Sequence, residues 1–303
     1  MSLLTERSGS QWYHRASLLG ELAATASWTR TRNQLFHFLY GENCYRYLGL
    51  LKSGLTRGNQ LMATYHTPEW RMRELIRNTD HIKRLDAAVV VSTTQLGYFG
   101  NLLGAERVFY VPHGIDTEFF HPGPRGLSTD RFRYICVGHH LRDFTTLAAA
   151  ADIIWQHDRT SEIVVVAAPD QLGPLSRLPN VKHCWGIADE HLKRLYQTAD
   201  ALLLPLQDAT ANNALLEAMA CGLPVISTDL GGVRDYVSPG CSVLTPKGDA
   251  KALAQAALEA RNGAFDLAAM GAASRRAAES LSWLHVAESM LHVYASVKGG
   301  TES

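Results

Sequence analysis

Short apolar runs and amphipathic stretches alternate along almost the whole chain. Runs at 33–39, 61–66, 86–92, 107–112, 133–138, 162–168, 180–186, 201–205 and 225–227 are rich in β-branched and other apolar residues, and predict strands. Between them, helix-forming stretches fall at about 11–28, 45–51, 70–85, 93–103, 148–155, 190–199, 214–220, 250–260 and 285–297. Strand followed by helix, repeated this many times, is the signature of parallel α/β sheets. An α/β domain normally opens on a buried strand, but this chain opens on a short polar segment and the small-residue loop Ser8-Gly9-Ser10. The Gly- and Pro-rich stretch 122–130 reads as a linker.

The stretch from Asp208 to Gly232 is the most informative. It reads as loop, helix, turn, strand and turn, with Gly222 and Pro224 ending the helix and Gly231-Gly232 ending the strand. Thr210, Asn212 and Asn213 are cap-type residues at the helix start, and a helix start with free N–H groups is an anion site. Glu217 lies one turn further on the same side as Asn213, where a carboxylate can accept hydrogen bonds from a sugar diol. On periodicity alone, the same pattern also suits an ordinary capped helix with a solvated glutamate.

Length and charge narrow the class. A chain of 303 residues suits two domains. The formal net charge is zero, so no global field draws nucleic acid. Residues 1–112 nevertheless hold 13 Lys and Arg against 8 Asp and Glu, leaving 16 against 21 for the rest. A basic front half suits an anionic acceptor or a lipid surface. Cys44, Cys136, Cys184, Cys221 and Cys241 are scattered without a CxxC pair, and read as reduced core residues of a cytosolic protein. No apolar run reaches membrane-span length, and no signal-peptide core or internal repeat stands out.

The segment Leu215-Leu216-Glu217-Ala218-Met219-Ala220-Cys221-Gly222-Leu223-Pro224-Val225-Ile226 resembles the donor-site signature of the family-four retaining glycosyltransferases, the "group one" enzymes. The resemblance implies a GT-B fold: two Rossmann-like domains facing across a cleft, here with a shortened N-terminal domain. The expected division is 1–118 for the acceptor-side domain, 119–281 for the nucleotide-sugar domain, and 282–303 for a closing helix that crosses back, with Trp283 as its anchor. The decapeptide His113 to Pro122 is similar to the family's interdomain segment.

The family pattern assigns residues one by one. Gly9 and Ser10 stand where a glycine-bearing loop approaches the donor diphosphate. His66, at the carboxyl end of a strand, takes the place of the family histidine near donor sugar and acceptor. Gly138-His139 stands for the family's Gly-Arg, and Arg142-Asp143 for its Lys-Gly, so Arg142 keeps one diphosphate cation while His139 weakens the other. Gly186 and Ile187 would flank the base. Thr210, Asn212, Asn213, Ala214, Leu215 and Glu217 complete the donor site. The family has two glutamates flanking seven residues. Glu217 is the second, and Ala209 stands where the first should be, with Asp208 one place away.

The resemblance therefore implies a cytoplasmic, hexosyltransferase-type, retaining glycosyltransferase. It would act from a UDP- or GDP-sugar co-substrate on a glycan, lipid-linked or small-molecule hydroxyl acceptor, with no other cofactor and no metal. His66, Arg142 and Glu217 are its expected catalytic residues. Peripheral contact with the inner membrane face through the basic N-terminal domain is a further expectation. Two alternatives stay open: a non-catalytic nucleotide-sugar binder, motivated by Ala209 and the missing first strand, and another enzyme on the same fold, such as a nucleotide-sugar epimerase. A phosphorylase would need a pyridoxal phosphate lysine, and no candidate lysine is visible.

Overall fold

The computed structural model describes residues 12–52, 57–123 and 131–299. Gly9, Ser10 and most of the expected linker lie outside the described residues. The chain divides into two compact units. One comprises the described residues as far as His113 together with those from Val286 on, and the other runs from Gly114 to His285.

The first unit holds helix α1 (Arg15–Arg30), strand β1 (Leu35–Phe38), α2 (Arg46–Leu51), β2 (Gln60–Tyr65), α3 (Glu69–Leu75), β3 (Ala87–Val90), α4 (Leu96–Leu103) and β4 (Val108–Tyr110). The four strands form a parallel sheet in sequence order. Both faces are buried, and side chains alternate between them. Leu61, Ala63 and Tyr65 of β2 and Ala88 and Val90 of β3 join one cluster, with Trp28, Tyr45 and Phe99. Met62, Ala87 and Val89 point the other way. That second face is covered by the last helix of the chain, whose residues Val286, Met290, Val293, Tyr294 and Val297 recur at helical spacing. Tyr294 Oη also meets His37 Nδ1 at 2.7 Å.

The expected helix over 70–85 is broken. It stops at Leu75, and only a short 3-10 turn, Ile82–Arg84, follows. The cause is local chemistry: Asn78 Oδ1 accepts the Asp80 N–H at 2.8 Å, and Arg46 donates to the Asn78 carbonyl at 3.0 Å. Asn and Asp side chains compete in this way with helical hydrogen bonds.

The second unit contains β5 (Arg133–Val137), α5 (Phe144–His157), β6 (Glu162–Val166), β7 (Val181–Cys184), α6 (Asp189–Thr198), β8 (Ala201–Leu204), α7 (Asn213–Ala220), β9 (Val225–Thr228), α8 (Gly231–Arg234), β10 (Ser242–Thr245), α9 (Ala250–Arg261) and α10 (Leu267–Ser280). Its six strands are parallel, in the order β10-β9-β8-β5-β6-β7. Helix α10 was not expected from the sequence, although Asp266 caps it by accepting the Ala269 N–H at 2.9 Å and an alanine-rich run follows. The final helix, α11 (Trp283–Gly299), begins in this unit and ends in the first. Trp283, the expected anchor of the closing helix, lies in the second unit with its ring against the backbone at Gly114. Cys136, Cys221 and Cys241 are buried, Cys44 and Cys184 are half-buried, and all five are free thiols.

Candidate functional site

In the second unit the strand order reverses at β5. The chain moves outward through β6 and β7, then returns to the other flank of β5 as β8. Loops leaving the carboxyl ends of β5 and β8 meet at this reversal, the place where open parallel sheets take ligands. These loops are 138–143 and 205–212. Two backbone hydrogen bonds join them, from Asp143 N–H to the Pro205 carbonyl (3.0 Å) and from Gln207 N–H to the Leu141 carbonyl (2.9 Å), pairing Arg142 with Leu206. Asp143 also caps α5 through the Thr146 N–H at 3.0 Å, so the loop is fixed at both ends.

Arg142 is half-buried, and each of its three guanidinium nitrogens donates one hydrogen bond. Its Nε donates to the Val137 carbonyl at 2.8 Å, Nη1 to the His140 carbonyl at 3.0 Å, and Nη2 to Asn212 Oδ1 at 3.3 Å. Gly138 has φ +85°, and a Cβ there would sit 2.9 Å from Arg142 Nη2, so a glycine makes room for the guanidinium. Burial lowers the Arg142 pKa, opposed by Cys136, Tyr196 and Glu217.

Asn212 is the N-cap of α7, and its Oδ1 also accepts the Leu215 N–H at 3.2 Å. One side-chain oxygen thus ties the cation to the helix start. Among the described residues no acceptor meets the N–H groups of Asn213 and Ala214, which lie at the positive end of the helix dipole. The Leu215 side chain is fully buried, and its N–H is held by the cap. Glu217 lies one turn along α7 and accepts from Tyr196 Oη at 2.9 Å. Burial raises the Glu217 pKa, aided by Asp189 and opposed by the Tyr196 hydrogen bond and by Arg142. Tyr196 shares a face of α6 with Leu192 and Leu195 and is fully buried. Its hold on Glu217 is a tertiary contact that periodicity does not carry.

The other expected residues are less closely joined. Thr210 is buried, and His139 is exposed with its carbonyl accepting the Arg142 N–H at 3.2 Å. Gly186 and Ile187 follow β7, the outermost strand on that flank, and no hydrogen bond among the described residues links them to Arg142 or α7. Ala209 is 5% exposed, and its carbonyl oxygen would lie 1.9 Å from a Cβ placed on Gly232. His66 belongs to the first unit, just past β2. Among the described residues no three His, Cys, Asp or Glu side chains converge as a metal site, and no helix is long and apolar enough to cross a membrane.

Residues 131–262, which carry both loops and α7, match the family model of group 1 glycosyl transferases. The fold agrees. Sucrose-phosphate synthase from Thermosynechococcus elongatus superposes with a TM-score of 0.71 at 22% identity, over 88% of this chain and 74% of that one. Anabaena HepE, solved in complex with UDP and glucose, also gives 0.71 at 15% identity, over 91% of this chain and 81% of that one. The fold is therefore that of the GT-B glycosyltransferases. In sequence, the chain is 29% identical over 266 residues to D-inositol 3-phosphate glycosyltransferase of Geodermatophilus obscurus, and 27% over 266 residues to that of Gordonia bronchialis. Each alignment takes in 78% of this chain but only 58% of the relative.

Proposed function

We propose that this chain transfers a hexose from a UDP- or GDP-sugar to a hydroxyl acceptor, with retention of configuration and without a metal or other cofactor. The observation that carries the reading is the clamp at the strand-order reversal, where Asn212 joins the Arg142 guanidinium to the open N–H groups of α7. A cation and a helix N-terminus so joined suit a diphosphate. Glu217, held by Tyr196, takes the ribose diol, and Gly186 and Ile187 flank the base. The bond from the sugar C1 to the diphosphate breaks, and the acceptor oxygen bonds to C1 on the same face. The acceptor proton passes to the departing phosphate. Arg142 and the amides of Asn213 and Ala214 stabilise the charge that builds on the leaving group, a preorganised electrostatic contribution. His66 positions the donor sugar or the acceptor hydroxyl. The complex of HepE makes UDP-glucose the first donor to try, and the names of the curated relatives make a phosphorylated cyclitol the first acceptor.

Ala209 supports a second reading. Where the family places a glutamate the chain has a buried alanine, which suits a protein that binds the donor without turning it over.

Calorimetry with UDP-, GDP- and dTDP-sugars, followed by NMR of the product anomer, separates the two. The expected result is binding of one donor, nucleotide release that survives EDTA, and a retained anomer. Arg142→Ala should weaken donor binding by roughly tenfold to a hundredfold, as for a lost hydrogen bond to a charged group, and Glu217→Ala should weaken it too. Unchanged affinity in both variants would remove this donor site. Binding without turnover would favour the second reading.

A further inference from the structure

In the first unit, the segment Tyr65-His66-Thr67 at the end of β2 is gripped from both sides by buried polar side chains. Glu42, in the loop after β1, is 4% exposed. Its Oε1 accepts the N–H of His66 and, at 3.0 Å, that of Thr67. Its Oε2 stands 3.9 Å from His66 Nδ1. Gln95, in the turn after β3, is 1% exposed. Its Nε2 donates to the carbonyls of Tyr65 (3.2 Å) and Thr67 (3.0 Å), while its Oε1 accepts the N–H groups of Val91 and Ser92, both at 3.0 Å. Two consecutive amides thus go to one carboxylate oxygen, and two carbonyls go to one carboxamide. The His66 ring lies between Tyr40, at 5.0 Å between centroids, and His113, at 5.9 Å.

Burying a carboxylate is costly unless strong hydrogen bonds offset it. A glutamine would offer the same backbone amides an oxygen without burying a charge. The outlay is out of proportion to closing a strand end, and it falls on the one residue here with ring nitrogens to aim. We propose that Glu42 is a positioning residue for His66. By holding the His66 and Thr67 amides it fixes the backbone from which the imidazole projects, and Gln95 completes the mount from the opposite side. The inference rests on the reading that His66 serves sugar transfer, but its central claim concerns only the geometry of His66.

Three variants of the full chain test it. Glu42→Gln keeps an oxygen able to accept both amides. Glu42→Asp keeps the charge but draws the oxygens back by one methylene, out of reach. Glu42→Ala removes both. The first readout is the His66 imidazole signals in 15N NMR spectra recorded without substrate, assigned with His66→Gln. The mount predicts that Asp and Ala move these signals and that Gln leaves them near the wild-type positions. The second readout is steady-state kinetics with the active donor. The expectation is a kcat at least tenfold lower for Asp and Ala with little change in donor KM, and restoration to within a few-fold by Gln. Unmoved His66 signals in Asp would overturn the proposal, as would a Gln variant as impaired as Asp. Should Ala fail to fold, the Asp and Gln pair still decides. Should the wild type transfer no sugar, the spectra still decide whether Glu42 holds His66, and the failure falls on the proposed function alone.

Discussion

His81 is 3% exposed, and its Nδ1 lies 3.3 Å from Arg46 Nη1. A guanidinium only donates, so the ring nitrogen facing it must accept, and the imidazole is neutral. Protonation would set a second cation beside Arg46 in a buried place. Burial and then Arg46 push the His81 pKa down to about 3. His37, held between Tyr294 and Thr64 at 2.7 Å each, is pushed down to about 4, chiefly by burial. Both folded values lie below the ordinary histidine value of 6.5. Their contribution is therefore intact above that value and is lost as pH falls, because the unfolded chain takes up protons that the folded chain refuses. Between pH 7 and 5 each histidine should cost about 2 kcal/mol by linkage, set mainly by the unfolded pKa. The check is urea unfolding at both pH values. His81→Gln, whose carbonyl can still meet Arg46, should lose about 2 kcal/mol less than wild type over the same interval. An equal loss in the two proteins would show that His81 is not the sensor.

At the level of elements, the loop 205–212 owes its course to α8 as much as to its own residues. Gly232 stands where a Cβ would come within 1.9 Å of the Ala209 carbonyl oxygen and 2.9 Å of the Thr210 carbonyl oxygen. Both obstacles are backbone, so no side chain can swing aside. Gly232→Ala should cost about 1–3 kcal/mol, the usual range for overpacking, and should weaken donor binding by shifting the loop that carries Asn212. Gly20→Ala is the control, because nothing lies within 4 Å of its added Cβ. Thermal unfolding with and without nucleotide reads both effects, and a Gly232→Ala protein with wild-type stability and donor affinity would contradict the argument. The same loop marks how far the sequence could be read. The order of strands and helices, the cap at Asn212 and the cation at Arg142 were visible because each is local: a period, a cap residue, a charge after a strand. The role of Gly232, the grip of Tyr196 on Glu217 and the break in the 70–85 helix are set by partners distant in sequence or by competing turn chemistry. Helix α10 was missed for a different reason, since its cap and alanine run were plain but no family motif drew attention to them. Its Arg275 donates to the carbonyls of Thr117 (3.2 Å), Phe120 (2.9 Å) and Ala220 (2.9 Å), closing the end of α7 opposite the site.

On the scale of the whole molecule, the last helix decides which core a perturbation reaches. The second face of the first unit's sheet has Met62, Ala87, Val89 and Val111 against Val293 and Val297, and Gln60 Nε2 donates to the Val297 carbonyl at 2.6 Å. Val293 is 6% exposed. A carboxylate there has no cation among the residues of that cluster, so Val293→Asp should cost several kcal/mol. The core of the second unit is a separate cluster centred on β5, β8 and α7, and Val293 is not among its residues. Hydrogen exchange should then show the loss confined to one unit. In Val293→Asp, amides of β1 to β4 should exchange faster by a factor of a hundred or more, while those of β5, β8 and α7 keep wild-type protection. Donor nucleotide should still slow exchange at the start of α7, because Arg142, Asn212 and Glu217 all lie in the unaffected unit. Equal loss of protection in both units would mean that the two cores unfold as one, and that the proposed donor site draws its stability from the whole chain rather than from the sheet that carries it.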